Sequence, residues 1–374
     1  MTERPAGETS PVTWGQAPSG PTIAVVGALL ASGLVLRLGA LRPTNLFDAT
    51  TYSRLFTVHG ALMFAALPVL LLSFGLAGVK APPRLRLALE TVCVVATAVA
   101  AARFEAAVLP TVAGAFLAVA ACVAVLLVAI SGPRLPRALF VIAAAAQCVA
   151  WGSALVGRYD TMAIAHSTLV VAVLAAPALH SRANVAVVAV ALIYLLFRVS
   201  LRFAGLHVLA YGEALSAVCL AFLLGFSGPA ASGWAKWVRR VEALMFVEAA
   251  LLVAMFGLFD ASALINDTLF AVAAPHLEGF VLIFALLRSA HRAERSSAAS
   301  AGLAASALGA HLLAWGLVVL GRRGMPRRYA QYLPELQSLQ VLASIGAALM
   351  VLGVAVIAFV HLARRDRAEQ VADG

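Results

Sequence analysis

The chain has 374 residues, of which 63% are hydrophobic and 12% charged, and a formal net charge of +10. A soluble domain carries about 25% charged residues, and one of this size could not keep so much apolar surface from water. The composition therefore excludes an ordinary soluble globule, and the scattered charge, almost all Arg with Lys80 and Lys236 the only lysines, excludes a nucleic-acid-binding face.

Residues 1–20 are polar and rich in Pro and Gly, and they read as a disordered tail without a secretory signal. Twelve apolar runs follow, near 22–41, 55–78, 86–103, 108–131, 136–156, 161–179, 184–203, 208–228, 240–258, 265–288, 299–320 and 336–361. Each is close to the ~20 residues that a spanning helix needs. The seventh and eighth are the least regular, because Arg198, Arg202 and Glu213 interrupt them. Breakers fall between runs at Pro82-Pro83, Gly132-Pro133, Gly228-Pro229, Gly324 and Pro326. The expected fold is all-α: a polytopic membrane bundle of about twelve helices over 21–363, with a tail at 364–374. Cys93, Cys122, Cys148 and Cys219 lie inside apolar runs without a C-x-x-C pair and are expected to be small core residues.

The basic residues orient the bundle. Lys80, Arg84 and Arg86, Arg134 and Arg137, Arg182, Lys236, Arg239 and Arg240, and Arg288, Arg292 and Arg295 follow even-numbered runs. With Arg364, Arg365 and Arg367 in the tail, they mark the cytoplasmic face, with both termini inside and a bacterial plasma membrane as the expected location. The loop after the eleventh run breaks this rule, with Arg322, Arg323, Arg327 and Arg328 on the outer side. Two readings stay open: a topology exception, or arginines pairing with an anion at the outer surface through bidentate hydrogen bonds.

Of eight histidines, His180, His291 and His361 lie at cytoplasmic ends, His207 in a loop, and His311 in an Ala/Leu-rich run without an evident partner. His59, His166 and His276 lie inside runs, where a polar side chain needs a partner. His59 is about seven residues into the second run, roughly 11 Å below the outer surface. His276 is nine residues past Asp267, roughly 13 Å down the tenth. Both runs start outside, so two imidazoles from separate helices lie at similar depth, as the axial ligands of a haem would. The alternative is that each ring bonds a neighbouring carbonyl or hydroxyl.

At these residues the chain resembles subunit I of the haem-copper oxidases, the catalytic subunit of cytochrome c oxidase. LRLGALRPTNLF and YSRLFTVHG resemble the end of that family's first helix and the opening of its second. NDTLFAVAAPHLEG resembles its tenth-helix segment, and GMPRRYAQYLPELQSLQVLASIG its eleventh loop and twelfth helix. The resemblance implies that His59 and His276 ligate a low-spin haem, that Arg37 contacts a ring substituent, and that Arg327 and Arg328 hold the propionates. It also makes Asp267 one ligand of a magnesium ion, although the family's preceding histidine is here Asn266.

The departures bear on the reaction. The family's high-spin haem ligand, two residues before the low-spin one, is here Ala274, followed by Pro275. His166 aligns with the first copper ligand, but the family's H-P-E-V-Y is here His-Ser-Thr-Leu-Val, and no adjacent His-His pair occurs. Copper is therefore not expected, and His166 reads as a satisfied core residue. No acidic residue or lysine matches the family's proton routes. The expected function is one-electron transfer by a single bis-histidine haem of unspecified type, beside other respiratory subunits and a donor on the outer face. Two rivals are a divergent working oxidase, with ligands drawn from His166, His180, His207 or Tyr211, and a cofactor-free transporter. The transporter would use Arg198, Arg202, Glu213, Glu242, Glu248 and Glu278 as a polar pathway. It lacks the paired halves with broken helices that such a fold shows.

Overall fold

The computed structural model describes residues 20–44, 46–63, 141–143, 145–149, 160–175, 184–204, 208–226, 233–258, 268–293, 296–326 and 331–373, with positions 67, 88 and 91. The tail at 1–19, the run near 108–131 and all of the run near 86–103 but positions 88 and 91 lie outside them, as do Asp267, Arg327, Arg328, His180 and His207. Every element among the described residues is helical apart from one isolated bridge between Thr268 and Pro326.

The helices are α1 (Gly20–Gly39), α2 (Ala49–Ala61), α3 (Asp160–Ala175), α4 (Asn184–Ala204), α5 (Val208–Phe226), α6 (Gly233–Leu258), α7 (Phe270–Ala293), α8 (Ser297–Arg322) and α9 (Gln337–Asp373). Among the described residues two stretches, Ser297–Arg322 and Pro334–Ala363, are long and apolar enough to cross a membrane, and shorter apolar stretches lie in α1, α3, α4, α5 and α7. α6 starts at Gly233, so Lys236, Arg239 and Arg240 belong to a helix and not to a loop. α9 continues through Asp373, past the apolar run expected to end near 361.

Capping fixes several ends. Asp48 opens α2 by accepting from the Thr51 N–H at 2.9 Å and its hydroxyl at 2.7 Å. Those bonds hold the Asp48 carboxyl below the usual carboxylate range. Ser296 opens α8 by accepting from Ala299 N–H at 3.1 Å. α8 closes with Gly324 at φ 81°, where the Met325 N–H reaches Leu320 O and the Gly324 N–H reaches Gly321 O, both at 3.0 Å. That pair of bonds is the Schellman ending, which only glycine adopts without strain.

Most chain neighbours are also neighbours in space. α3 packs on α4 and α7, α6 between α5 and α7, and α8 against α7 and, most extensively, α9. α1 packs on both α2 and α9, so the first and last described helices are neighbours. Gly302, Gly309 and Gly316 on α8 meet Gly346, Gly353 and Ala343 on α9; a Cβ on Gly316 would lie 2.8 Å from the Ala343 Cβ. Small residues at this spacing let two helix backbones approach closely.

The irregular runs form α4 and α5 because their charges meet. Arg198 donates to Glu213 Oε1 at 2.7 Å and reaches Glu278 Oε1 at 3.3 Å and Ser167 Oγ at 3.0 Å. Ser167 also donates to Glu278 at 2.8 Å. One buried network thus ties α3, α4, α5 and α7 together. Cys219 is exposed on α5, so it is not the core residue expected, whereas Cys148 is half-buried.

Candidate cofactor site

His59 and His276 face one another across a cleft between α1, α2, α7, α8 and α9. Their ring centroids are 5.7 Å apart and the ring planes differ by 28°. With metal–imidazole bonds of about 2 Å, two rings sharing one metal have centres roughly 6 Å apart. The observed spacing is within a few tenths of that.

Each ring is oriented through the same nitrogen. His276 Nδ1 lies 2.8 Å from Val272 O, one turn back on α7. His59 Nδ1 lies 3.2 Å from Leu29 O and 3.1 Å from Ser32 Oγ, both on α1. A ring donating Nδ1–H to a carbonyl presents a bare lone pair at Nε2, the tautomer of a metal ligand. Pro275 precedes His276 inside α7 and removes one backbone donor there.

Space for the His59 ring comes from Gly33. A Cβ on Gly33 would lie 2.8 Å from His59 Cε1 and 3.3 Å from its Nδ1. The cavity is about 80 Å³, smaller than the roughly 300–1,000 Å³ usual for small-molecule and cofactor sites, so a bound haem would have to part the surrounding side chains. Its walls are apolar, among them Leu30, Met63, Leu269, Phe280, Leu317 and Met350, and Arg37 and Tyr52 also line it.

Arg37 is held by α9: its guanidinium donates to Gln340 Oε1 and, at 3.1 Å, to Gln340 O. Ser344 returns a bond to Arg37 O at 3.0 Å. Arg327 and Arg328 lie outside the described residues, but the chain is anchored on both sides of them. On one side Leu269 N–H donates to Met325 O at 3.0 Å, tying the loop to the start of α7. On the other, Tyr332 donates its hydroxyl to Ala40 O at 2.9 Å and its N–H to Pro43 O at 3.2 Å, at the end of α1.

The structure thus brings together His59, His276 and Arg37 and leaves Asp267, Arg327 and Arg328 undescribed. Ala274 is buried on α7 and offers no donor atom. His166 is buried on α3, near the Arg198 network and not in the cleft lining. No group of three or more His, Cys, Asp or Glu poised to hold a metal ion occurs among the described residues. Sequence reasoning missed Gly33, Ser32 and Gln340. Gly33 stands one helical turn before Arg37, a spacing that marks a side-chain-free spot on the face that Arg37 identifies.

No protein-family model matches the chain, and none of the curated proteins is similar to it. The resemblance to oxidase subunit I accordingly stands on the quoted residues alone.

Proposed function

We propose that the protein is a polytopic membrane haem protein, like oxidase subunit I in layout, that carries single electrons through one low-spin haem between His59 and His276. The observation that carries this reading is the pair of imidazoles at 5.7 Å, each tied through Nδ1 to a backbone carbonyl. A haem held by His59 and His276 would supply a one-electron couple there.

The chain's own residues do the rest. Leu29 O, Ser32 and Val272 O fix the ring tautomers and their aim. The apolar walls exclude water, which lowers the local dielectric and keeps the site from accepting other ligands. Arg37, anchored on Gln340, places a positive charge in the lining of the cleft, and Arg327 and Arg328 are proposed to add theirs from the tethered loop.

The oxidase reading is less favoured, because the position of the family's high-spin haem ligand is Ala274 and no adjacent His-His pair accompanies His166. The transporter reading is weakened because Arg198, Glu213 and Glu278 pair with each other. In this reading the twelve-helix membrane topology, with both termini cytoplasmic, is also part of the proposal.

The test is a pyridine haemochrome assay with an optical spectrum on purified protein. One haem per chain with sharp low-spin bands is expected. His59→Ala and His276→Ala should each abolish the six-coordinate spectrum. Wild-type spectra in both variants, or purified protein without haem, would overturn the assignment.

A further inference from the structure

A second ionisable site lies apart from the cleft. α6 and α8 both pack along α7 but scarcely touch each other. About midway along each, in the groove between them, Glu248 Oε2 and His311 Nε2 stand 3.3 Å apart. The two facing atoms are themselves buried, but the side chains that carry them are 15% and 22% exposed, so the groove opens beside the pair to whatever surrounds the protein. Exposed Leu244 and Leu251 flank Glu248 one turn to either side, and exposed Leu308 and Trp315 flank His311. In a membrane this stripe faces hydrocarbon, and the pair sits near the bilayer centre. Leu313, which lines the cleft, is two positions from His311 and so on the opposite side of α8.

The hydrogen bonding leaves one proton to place. His311 Nδ1 lies 2.8 Å from Ala307 O and donates to it, so the neutral ring turns a lone pair toward the Glu248 carboxyl. Without a further proton the pair would carry a bare negative charge in hydrocarbon. With one proton it is neutral, whether as carboxylic acid and imidazole or as an ion pair. The groups acting on this carboxyl are the His311 imidazole and the Trp315 indole N–H, both from α8. The acids of α5 and α7, Glu213 and Glu278, are engaged by Arg198. Glu242, Arg239 and Arg240 lie six or more residues back along α6.

We propose that Glu248 and His311 share a single proton in the middle of the membrane, and that the resulting neutral carboxylic acid, reachable from lipid, is a site of covalent modification by hydrophobic carbodiimides. The carboxyl proton passes to one carbodiimide nitrogen while a carboxyl oxygen bonds to the central carbon, converting one C=N to a single bond. The acyl group then shifts from oxygen to nitrogen, leaving a stable N-acylurea, with no leaving group and no redox change. An ionised carboxylate cannot supply that proton and does not react. The inference rests on the membrane reading and not on the haem.

The experiment uses the full chain in native membranes, first washed at alkaline pH and then treated with dicyclohexylcarbodiimide or with a water-soluble carbodiimide. Modified peptides are located by mass spectrometry. The chain should stay in the membrane, and Glu248 should carry the N-acylurea with the hydrophobic reagent alone. E248Q should lose that label. His311→Leu should keep it, because a lone carboxyl in hydrocarbon stays protonated; His311→Arg should lose it, because a fixed positive charge ionises the carboxylate. Retention in the membrane with Glu248 unlabelled, or labelled equally by both reagents, overturns the proposal. Release by the alkaline wash overturns the membrane reading and the proposal with it.

Discussion

Replacing Gly33 by alanine adds one carbon where the His59 ring already lies. The new Cβ would meet Cε1 at 2.8 Å, whereas carbon atoms pack at about 3.5–4.0 Å. The ring must therefore retreat by about 0.7 Å or rotate. Its Nδ1 bonds to Ser32 and Leu29, at 3.1 and 3.2 Å, have only a few tenths to spare before they cease to be hydrogen bonds. Losing one such bond costs about 1 kcal/mol, and an off-rotamer ring about as much again. Together they amount to about 2 kcal/mol, or roughly 30-fold in the affinity of the site. That agrees with the 10- to 100-fold typical when a partner behind a metal-ligating histidine is lost. The assay is haem content per purified chain, with the low-spin optical bands titrated by added haem. Gly60→Ala is the matched control: it adjoins His59, and nothing lies within 4 Å of its added carbon, so haem content should be unchanged and α2 slightly more stable. Equal haem affinity in the Gly33→Ala variant and wild type would show that His59 is not held against iron in this geometry.

Removing Arg198 leaves Glu213 and Glu278 buried without their cation, so Arg198→Leu should destabilise the protein by about 3–5 kcal/mol, read as a lowered thermal midpoint. Replacing Arg198, Glu213 and Glu278 together with apolar residues of similar volume should restore most of that loss; an undisturbed midpoint in the single variant would refute a load carried by the network. At the start of α2, the Asp48 carboxyl titrates below its ordinary range because it accepts two bonds from Thr51. A depressed folded value means that its contribution is present above the ordinary carboxylate range and is lost as pH falls through the folded value. The protection of the Thr51 amide from hydrogen exchange, taken relative to its intrinsic rate at each pH, should therefore fall on acidification in wild type and stay flat in D48N. A flat wild-type profile would contradict the cap.

How far the sequence announced this arrangement depends on the range over which each signal acts. Helices and their punctuation are local, and Gly324 with Pro326 marked the end of α8 because a left-handed residue and a missing donor are properties of the chain alone. The meeting of His59 and His276 was legible because the position of each could be counted along its own helix. What could not be counted was which helix faces supply the second partners. Leu29 O and Ser32 lie 30 and 27 residues before His59, and Gln340 lies 303 after Arg37. The same limit explains α4 and α5. Read one helix at a time, Arg198 and Glu213 look like interruptions, because a lone charge in an apolar run is costly. Placed side by side at 2.7 Å, they are what joins the two helices. The glycines at 302, 309 and 316, matched by 346 and 353, recur every seven residues. Their meaning needed both strips, since a single row of glycines shows where a backbone can be approached but not by what. The chain's specificity therefore lies in pairings between distant helices: any one residue of such a pair reads as a defect, and only its partner turns it into a contact.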